Sequence, residues 1–182
     1  MNNNRHSLFE LVAADIKAKA ALVYESDSSK AILKTLLTDG TFSMLLYRFM
    51  QASQKCHLVP LAMVFNKLIG IFGQCVIGRK ASFGPGFVIV HSQGIVINSS
   101  VIGGSNVSVG HQATIGAEKH RSPVLGDDVK VGAGAKILGN VKIGSHVKIG
   151  ANAVVTKDVP DGATVVGVPA KVVKIFGERV NE

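Results

Sequence analysis

VGAGAKILGNVKIGSHVKIGANAVV, residues 131–155, repeats with a period of six. Val131, Ile137, Ile143, Ile149 and Val155 open successive units, and Ala135, Val141, Val147 and Ala153 occupy their fifth positions. That spacing puts one aliphatic and one small or β-branched side chain on the inside of each short strand, with a turn every six residues. The register extends upstream through units opening at Ile77, Phe83, Ile89, Ile97, Gly103, Val109, Ile115 and Leu125, with Ala81, Val101, Val107, Ala113 and Val129 at fifth positions. The pattern predicts a mainly β chain, a left-handed parallel β-helix over residues 75–168, which is an exception to the usual right-handed crossover. Residues 169–182 then form a C-terminal tail.

Residues 1–74 read differently, as an α-helical N-terminal segment. LFELVAADIKAKAALVY carries apolar residues three and four apart, SDSS breaks the run, and a second helical stretch is interrupted at Gly40. LVPLAMVFNKLIGIF, residues 58–72, is broken by Pro60, Asn66 and Lys67, so it reads as a packed helix rather than a membrane span. Peripheral contact at the inner face of a membrane stays open as an alternative.

The chain has 182 residues, 47% of them hydrophobic and 18% charged, as expected for a folded domain with an appendage. Cys56 and Cys75 have no metal-ligand or redox spacing, and no metal is expected. The polar start MNNNRHSLFEL lacks a signal-peptide pattern, which favours a cytoplasmic location. A net charge of +8 suits nucleic acid, an anionic surface or a phosphorylated small molecule. The lysines are spread along the repeat without clustered aromatics, which argues against nucleic acid.

Three hexapeptides make one triangular coil, so units three apart stack on one edge. The units opening at 89, 109, 131 and 149 carry His91, His111, Ala133 and Ala151 at their third positions. The register slips twice: by two residues between His91 and Val96, and by four in AEKHRSPV, residues 117–124, which is expected to emerge as a loop. An imidazole at an edge beside an insertion can act as a general base toward a hydroxyl. The alternative for each histidine is a hydrogen-bonded structural role. Ala133 and Ala151 leave the edge bare for an extended ligand, and Lys130, Lys136 and Lys148 flank it with charges suited to phosphate. A long, thin, phosphate-bearing ligand whose reactive end meets a histidine describes acetyl-coenzyme A, and Ala117 joins the candidate coenzyme contacts.

The repeats, HSQGIV, the run from residue 131 to 155 and the closing VVGVPAKVV resemble the serine acetyltransferase family over residues 75–173. The resemblance implies a homotrimer, acetyl-coenzyme A bound between neighbouring coils, His91 as the catalytic histidine, and Ala133 and Ala151 as coenzyme contacts. Serine acetyltransferases carry an Asp directly before that histidine and another in the preceding coil that orients it. Here those positions are Val90 and Val76. A family serine-binding histidine aligns with Ser122, with His120 two residues away, and Asp27 is a weak match to a helical-domain aspartate. HSQGIVIN and GHQATIG are similar to colanic-acid-type exopolysaccharide O-acetyltransferases.

Without a carboxylate to receive an ammonium group, the expected acceptor is a saccharide hydroxyl in exopolysaccharide biosynthesis, held by Ser92, Gln93, Arg121 and Ser122, with His111 and His120 in support. The alternative is a serine O-acetyltransferase of cysteine biosynthesis in which Asp27 takes part. A non-catalytic β-helix scaffold is the third reading.

Overall fold

A computed structural model describes residues 6–119 and 121–180. Four helices come first: α1 (Leu8–Tyr24), α2 (Ser29–Leu36), α3 (Thr41–Lys55) and α4 (Val59–Gly73). The Ser7 side chain accepts from the Glu10 N–H at 3.2 Å while the Glu10 carboxylate accepts from the Ser7 N–H at 2.8 Å, a reciprocal cap that starts α1. Ser28 caps α2 through the Ala31 N–H. Pro60 sits in the first turn of α4, where its missing N–H has no helical partner to lose. Among the described residues no helix is long and apolar enough to cross a membrane.

From Val76 the chain coils into a parallel β-solenoid with three faces. The first face stacks Val76–Ile77, Val96–Ile97, Thr114–Gly116, Lys136–Leu138 and Val154–Val155, and the second stacks Ser82–Phe83, Ile102–Gly103, Val124–Leu125 and Lys142–Ile143. The third stacks Val88–Ile89, Ser108–Val109, Lys130–Val131, Lys148–Ile149 and Ala163–Val166. Every aliphatic residue that opens a hexapeptide unit is buried, and the fifth positions are buried with them. Gly103 breaks the rule for a packing reason. It pairs with Phe83 in the neighbouring coil, and a Cβ on it would collide with the Phe83 ring. Large and small side chains therefore share one layer.

The segment expected as a tail continues this third face instead. Lys171–Ile175 pairs antiparallel with Ala163–Val166, and Glu178–Arg179 pairs antiparallel with Lys171–Ile175. The added strands cover the parallel ladder's last edge.

The helices dock on the first coil through a buried ion pair. Arg48, 1% exposed, reaches Asp15 with two nitrogens at 2.7 and 2.9 Å and donates to the carbonyls of Phe83 and Gly84. Asp15 also accepts the Phe87 N–H at 2.9 Å. The Tyr47 hydroxyl donates to the Ala81 carbonyl and accepts from the Phe83 N–H, each at 3.1 Å. One charged pair thus satisfies polar groups of both helix and coil, so the helical segment and the first coil share a core.

Candidate active site

The edge between the third and first faces is made by tight corners. Val131-Gly132-Ala133-Gly134-Ala135 turns one corner and Ile149-Gly150-Ala151-Asn152-Ala153 the next. Gly134 and Asn152 both have positive φ, +71° and +57°, and a Cβ on Gly134 would strike the Asn152 side chain. Glycine is therefore required at residue 134. Ladder bonds tie the corners together: Gly134 N–H to His111 carbonyl and Asn152 N–H to Ala133 carbonyl, both 2.8 Å.

His91 lies on this edge one coil below His111, their rings edge-to-face with centroids 5.9 Å apart. The strands entering their corners are in register, Val88 with Ser108 and Ile89 with Val109. On the far side Gly94 stacks on Gln112, and the Gln112 N–H donates to the Gln93 carbonyl at 2.8 Å. The two extra residues thus fall between His91 and Gly94, and the corner is longer here than in the coil above. Ser92 is buried in it, while His91 and Gln93 are exposed.

A carboxylate meets the longer corner from the helical segment. Asp39, in the turn between α2 and α3, places Oδ2 3.1 Å from His91 Nδ1, and its Oδ1 accepts from the Ser92 hydroxyl at 3.3 Å. A carboxylate can only accept, so Nδ1 carries a proton, and in the neutral imidazole the lone pair is on Nε2.

Gly40 makes this approach feasible. Its φ is +79°, and a Cβ there would lie 2.6 Å from the Ile89 carbonyl oxygen. The turn therefore rests directly on the backbone two residues before His91. Thr38 and Thr41 hydroxyls both donate to the Thr35 carbonyl at 2.7 Å. From α1, the buried Lys19 amine donates to the Asp39 carbonyl. Burial lowers its pKa to about 8, against the raising influence of the nearby Asp39 charge.

Lys130 and Lys148 are register partners on the third face, just before the bare corners at Ala133 and Ala151. Lys136 lies on the first face, just after the edge, and its amine donates to the Gln112 carbonyl at 2.5 Å. The edge therefore has lysines on both flanks.

Other sequence candidates lie elsewhere. Residues 117–124 leave the first face and enter the second, so Ala117, Arg121 and Ser122 sit on the next edge round rather than beside the histidines. Glu118 and Arg121 exchange backbone hydrogen bonds at 2.9 Å, and the Ser122 hydroxyl donates to Asn98 Oδ1 at 3.0 Å. His120 lies outside the described residues. Asp27 pairs with Lys17 at 3.4 Å, both side chains exposed. Asp39 was not legible as a site residue: an Asp-Gly in a helix break reads as a turn. No group of three or more His, Cys, Asp or Glu among the described residues could hold a metal ion.

Comparison with known proteins bears directly on this edge. The bacterial transferase hexapeptide (six repeats) family model matches residues 122–157. Serine acetyltransferase from Bacillus pumilus (strain SAFR-032) is 35% identical over 179 residues, 95% of this chain and 81% of that protein. The chain belongs to the serine acetyltransferase family.

Solved serine acetyltransferases agree in fold. The Neisseria gonorrhoeae enzyme superposes with a TM-score of 0.84 at 33% identity, over 98% of this chain and 70% of that one. The same enzyme in complex with serine gives 0.79 at 36% identity, over 90% and 68%. A serine acetyltransferase in complex with CoA gives 0.78 at 31% identity, over 88% and 68%. The acetyltransferase expected from the sequence stands.

The saccharide acceptor does not stand, since these relatives over most of the chain are serine acetyltransferases. The likeness to colanic-acid-type exopolysaccharide enzymes finds no support among them, and neither does membrane contact. The error has a physical source. Val90 and Val76 leave the coil without a carboxylate for an ammonium group beside His91, whereas the fold brings the Asp39 carboxylate to that corner from the helical segment.

Proposed function

We propose that this serine acetyltransferase-family chain is a serine O-acetyltransferase, moving the acetyl group of acetyl-CoA to the L-serine hydroxyl in cysteine biosynthesis. The observation that carries the reading is His91, an exposed imidazole with Nδ1 bound to a carboxylate and Nε2 free, at the end of a bare, lysine-flanked edge.

In this reading Nε2 removes the proton from the serine hydroxyl as its oxygen attacks the thioester carbonyl. The tetrahedral intermediate collapses with cleavage of the carbon–sulfur bond, and the departing CoA thiolate takes the proton back from the imidazolium. Acetyl-CoA is the cosubstrate. Its pantetheine arm runs over Ala133 and Ala151, and its phosphates meet Lys130, Lys136 or Lys148. Ser92 and Gln93 belong to the acceptor end, and His111 stands beside the base.

The reading includes a homotrimer. The loop that follows the first-face strand leaves one edge away from the histidines, and a threefold arrangement would bring it to a neighbour's histidine edge, giving Ala117, Arg121 and Ser122 a route to the site. The support for this is the loop's position in the coil.

Thiol release from acetyl-CoA with L-serine tests the function. We expect serine-dependent release, with turnover falling by about 10² or more in His91→Ala. No serine-dependent release by the wild type, or near-normal turnover in His91→Ala, would refute the reading.

A further inference from the structure

We infer that Asp39 is the positioning residue of His91, and that the base is competent only while the helical segment is docked on the first coil. The inference rests on His91 being the base in the proposed reaction.

Three observations converge on it. The two β-helix positions where a family carboxylate would stand are Val90 and Val76, so the coil itself offers the ring no anionic partner there. Asp39 reaches the ring at 3.1 Å across 52 residues of sequence, and its second oxygen is held by Ser92 from the same lengthened corner. Both carboxylate oxygens are thereby engaged, and the bidentate hold on the corner sets ring orientation as well as tautomer.

The turn carrying Asp39 is itself held from two sides. Gly40 packs its backbone on the Ile89 carbonyl, a contact that any side chain would obstruct. Lys19 donates from α1 to the Asp39 carbonyl, which fixes the peptide from which the carboxylate projects. Lys19 is fully buried for this contact, although a lysine amine is costly to bury. The chain Lys19, Asp39, His91 therefore runs from helix α1 through the interhelical turn to the edge of the β-helix. A carboxylate on the coil would hold the ring whatever the helices did. One on the helical turn makes ring orientation conditional on docking.

The test uses the full chain with Asp39→Ala, Asp39→Asn, Lys19→Met and His91→Ala. Kinetics with acetyl-CoA and serine would be combined with ¹⁵N–¹H correlation spectra of the histidine rings, the His91 resonance being assigned by its loss in His91→Ala. Wild type is expected to show the Nδ1–H tautomer. Asp39→Ala should lower kcat on the order of 10- to 100-fold and mix the tautomers, with KM for acetyl-CoA within about twofold. Asp39→Asn, nearly isosteric, should fall between, and it carries the test should Asp39→Ala fail to fold. Lys19→Met should lower kcat in the same direction by a smaller factor.

Turnover within about threefold of wild type together with an unchanged His91 tautomer in folded Asp39→Ala, or turnover equal to wild type in Asp39→Asn, would overturn the inference. These outcomes are separable from failure of the function itself. Near-normal turnover in His91→Ala removes the base. An inactive His91→Ala beside a fully active Asp39→Ala removes only the positioning role.

Discussion

Replacing Asp15 with alanine should be among the most damaging single changes in the helical segment, and its size can be worked from the contacts. Arg48 is 1% and Asp15 2% exposed. The guanidinium makes two bonds to the carboxylate and further bonds to Gln51, Phe83 and Gly84 at 2.9, 2.9 and 2.6 Å. Asp15→Ala leaves those three neutral acceptors in place but strips the buried cation of its counter-charge, which costs about 3–5 kcal/mol. The Phe87 N–H, bonded to Asp15 at 2.9 Å, loses its acceptor as well, for which a buried donor adds about 1–3 kcal/mol. Relaxation of the side chains will absorb part of the sum, so a net loss of roughly 5 kcal/mol is expected. For a chain of this length that corresponds to a Tm lower by about 10–20 °C.

Thermal and urea unfolding followed by circular dichroism would measure the loss. The double variant Asp15→Leu/Arg48→Met should recover the part of the loss that comes from the unpaired cation, since an apolar pair has no charge to desolvate, but not the part that comes from the Phe87 N–H and the carbonyls left without partners. A loss below about 1 kcal/mol for Asp15→Ala, or a double variant as unstable as the single, would show that this pair does not anchor the helices.

Two further outcomes follow from the same contacts. Ala151→Leu adds bulk to the bare edge above Ala133 and should weaken acetyl-CoA binding by tenfold or more, on the order of 1.4 kcal/mol, in calorimetry. Unchanged affinity in the folded variant would move the coenzyme to another edge. The Lys19 amine, at about 8 when folded against 10.5 ordinarily, is neutral in the folded chain at pH values where the unfolded chain still holds the proton. Stability should therefore rise by about 2 kcal/mol from about pH 7.5 to about pH 9.5, as read from urea midpoints, and Lys19→Met should abolish the rise. Above about pH 10 the buried Tyr47 phenol, whose pKa burial raises, acts in the opposite sense, because the unfolded chain loses that proton first.

The period of six determined most of the β-helix without help from anything distant. Each unit's opening and fifth residues turn inward by local strand geometry, and the count of three units per coil converts sequence position into edge position. That is why His91, His111, Ala133 and Ala151 could be assigned to one column, and the edge-to-face rings at 5.9 Å follow from the same count. The breaks at SDSS and Gly40 likewise mark where α1, α2 and α3 separate, because cap and turn residues act within a few positions of themselves.

Tertiary structure alone decided where the two irregular stretches point and what meets them. The loop at 117–124 follows a first-face strand, and it emerges one edge beyond the histidines with Ser122 bonded to Asn98. Asp39 was hidden because its partner is 52 residues away, and the docking of the helical segment on the first coil, through Asp15 and Arg48 and through the Gly40 and Lys19 contacts, brings the two together. Local periodicity records which way a side chain faces. It cannot record which distant turn is pressed against that face, because that depends on how two segments far apart in sequence share one core.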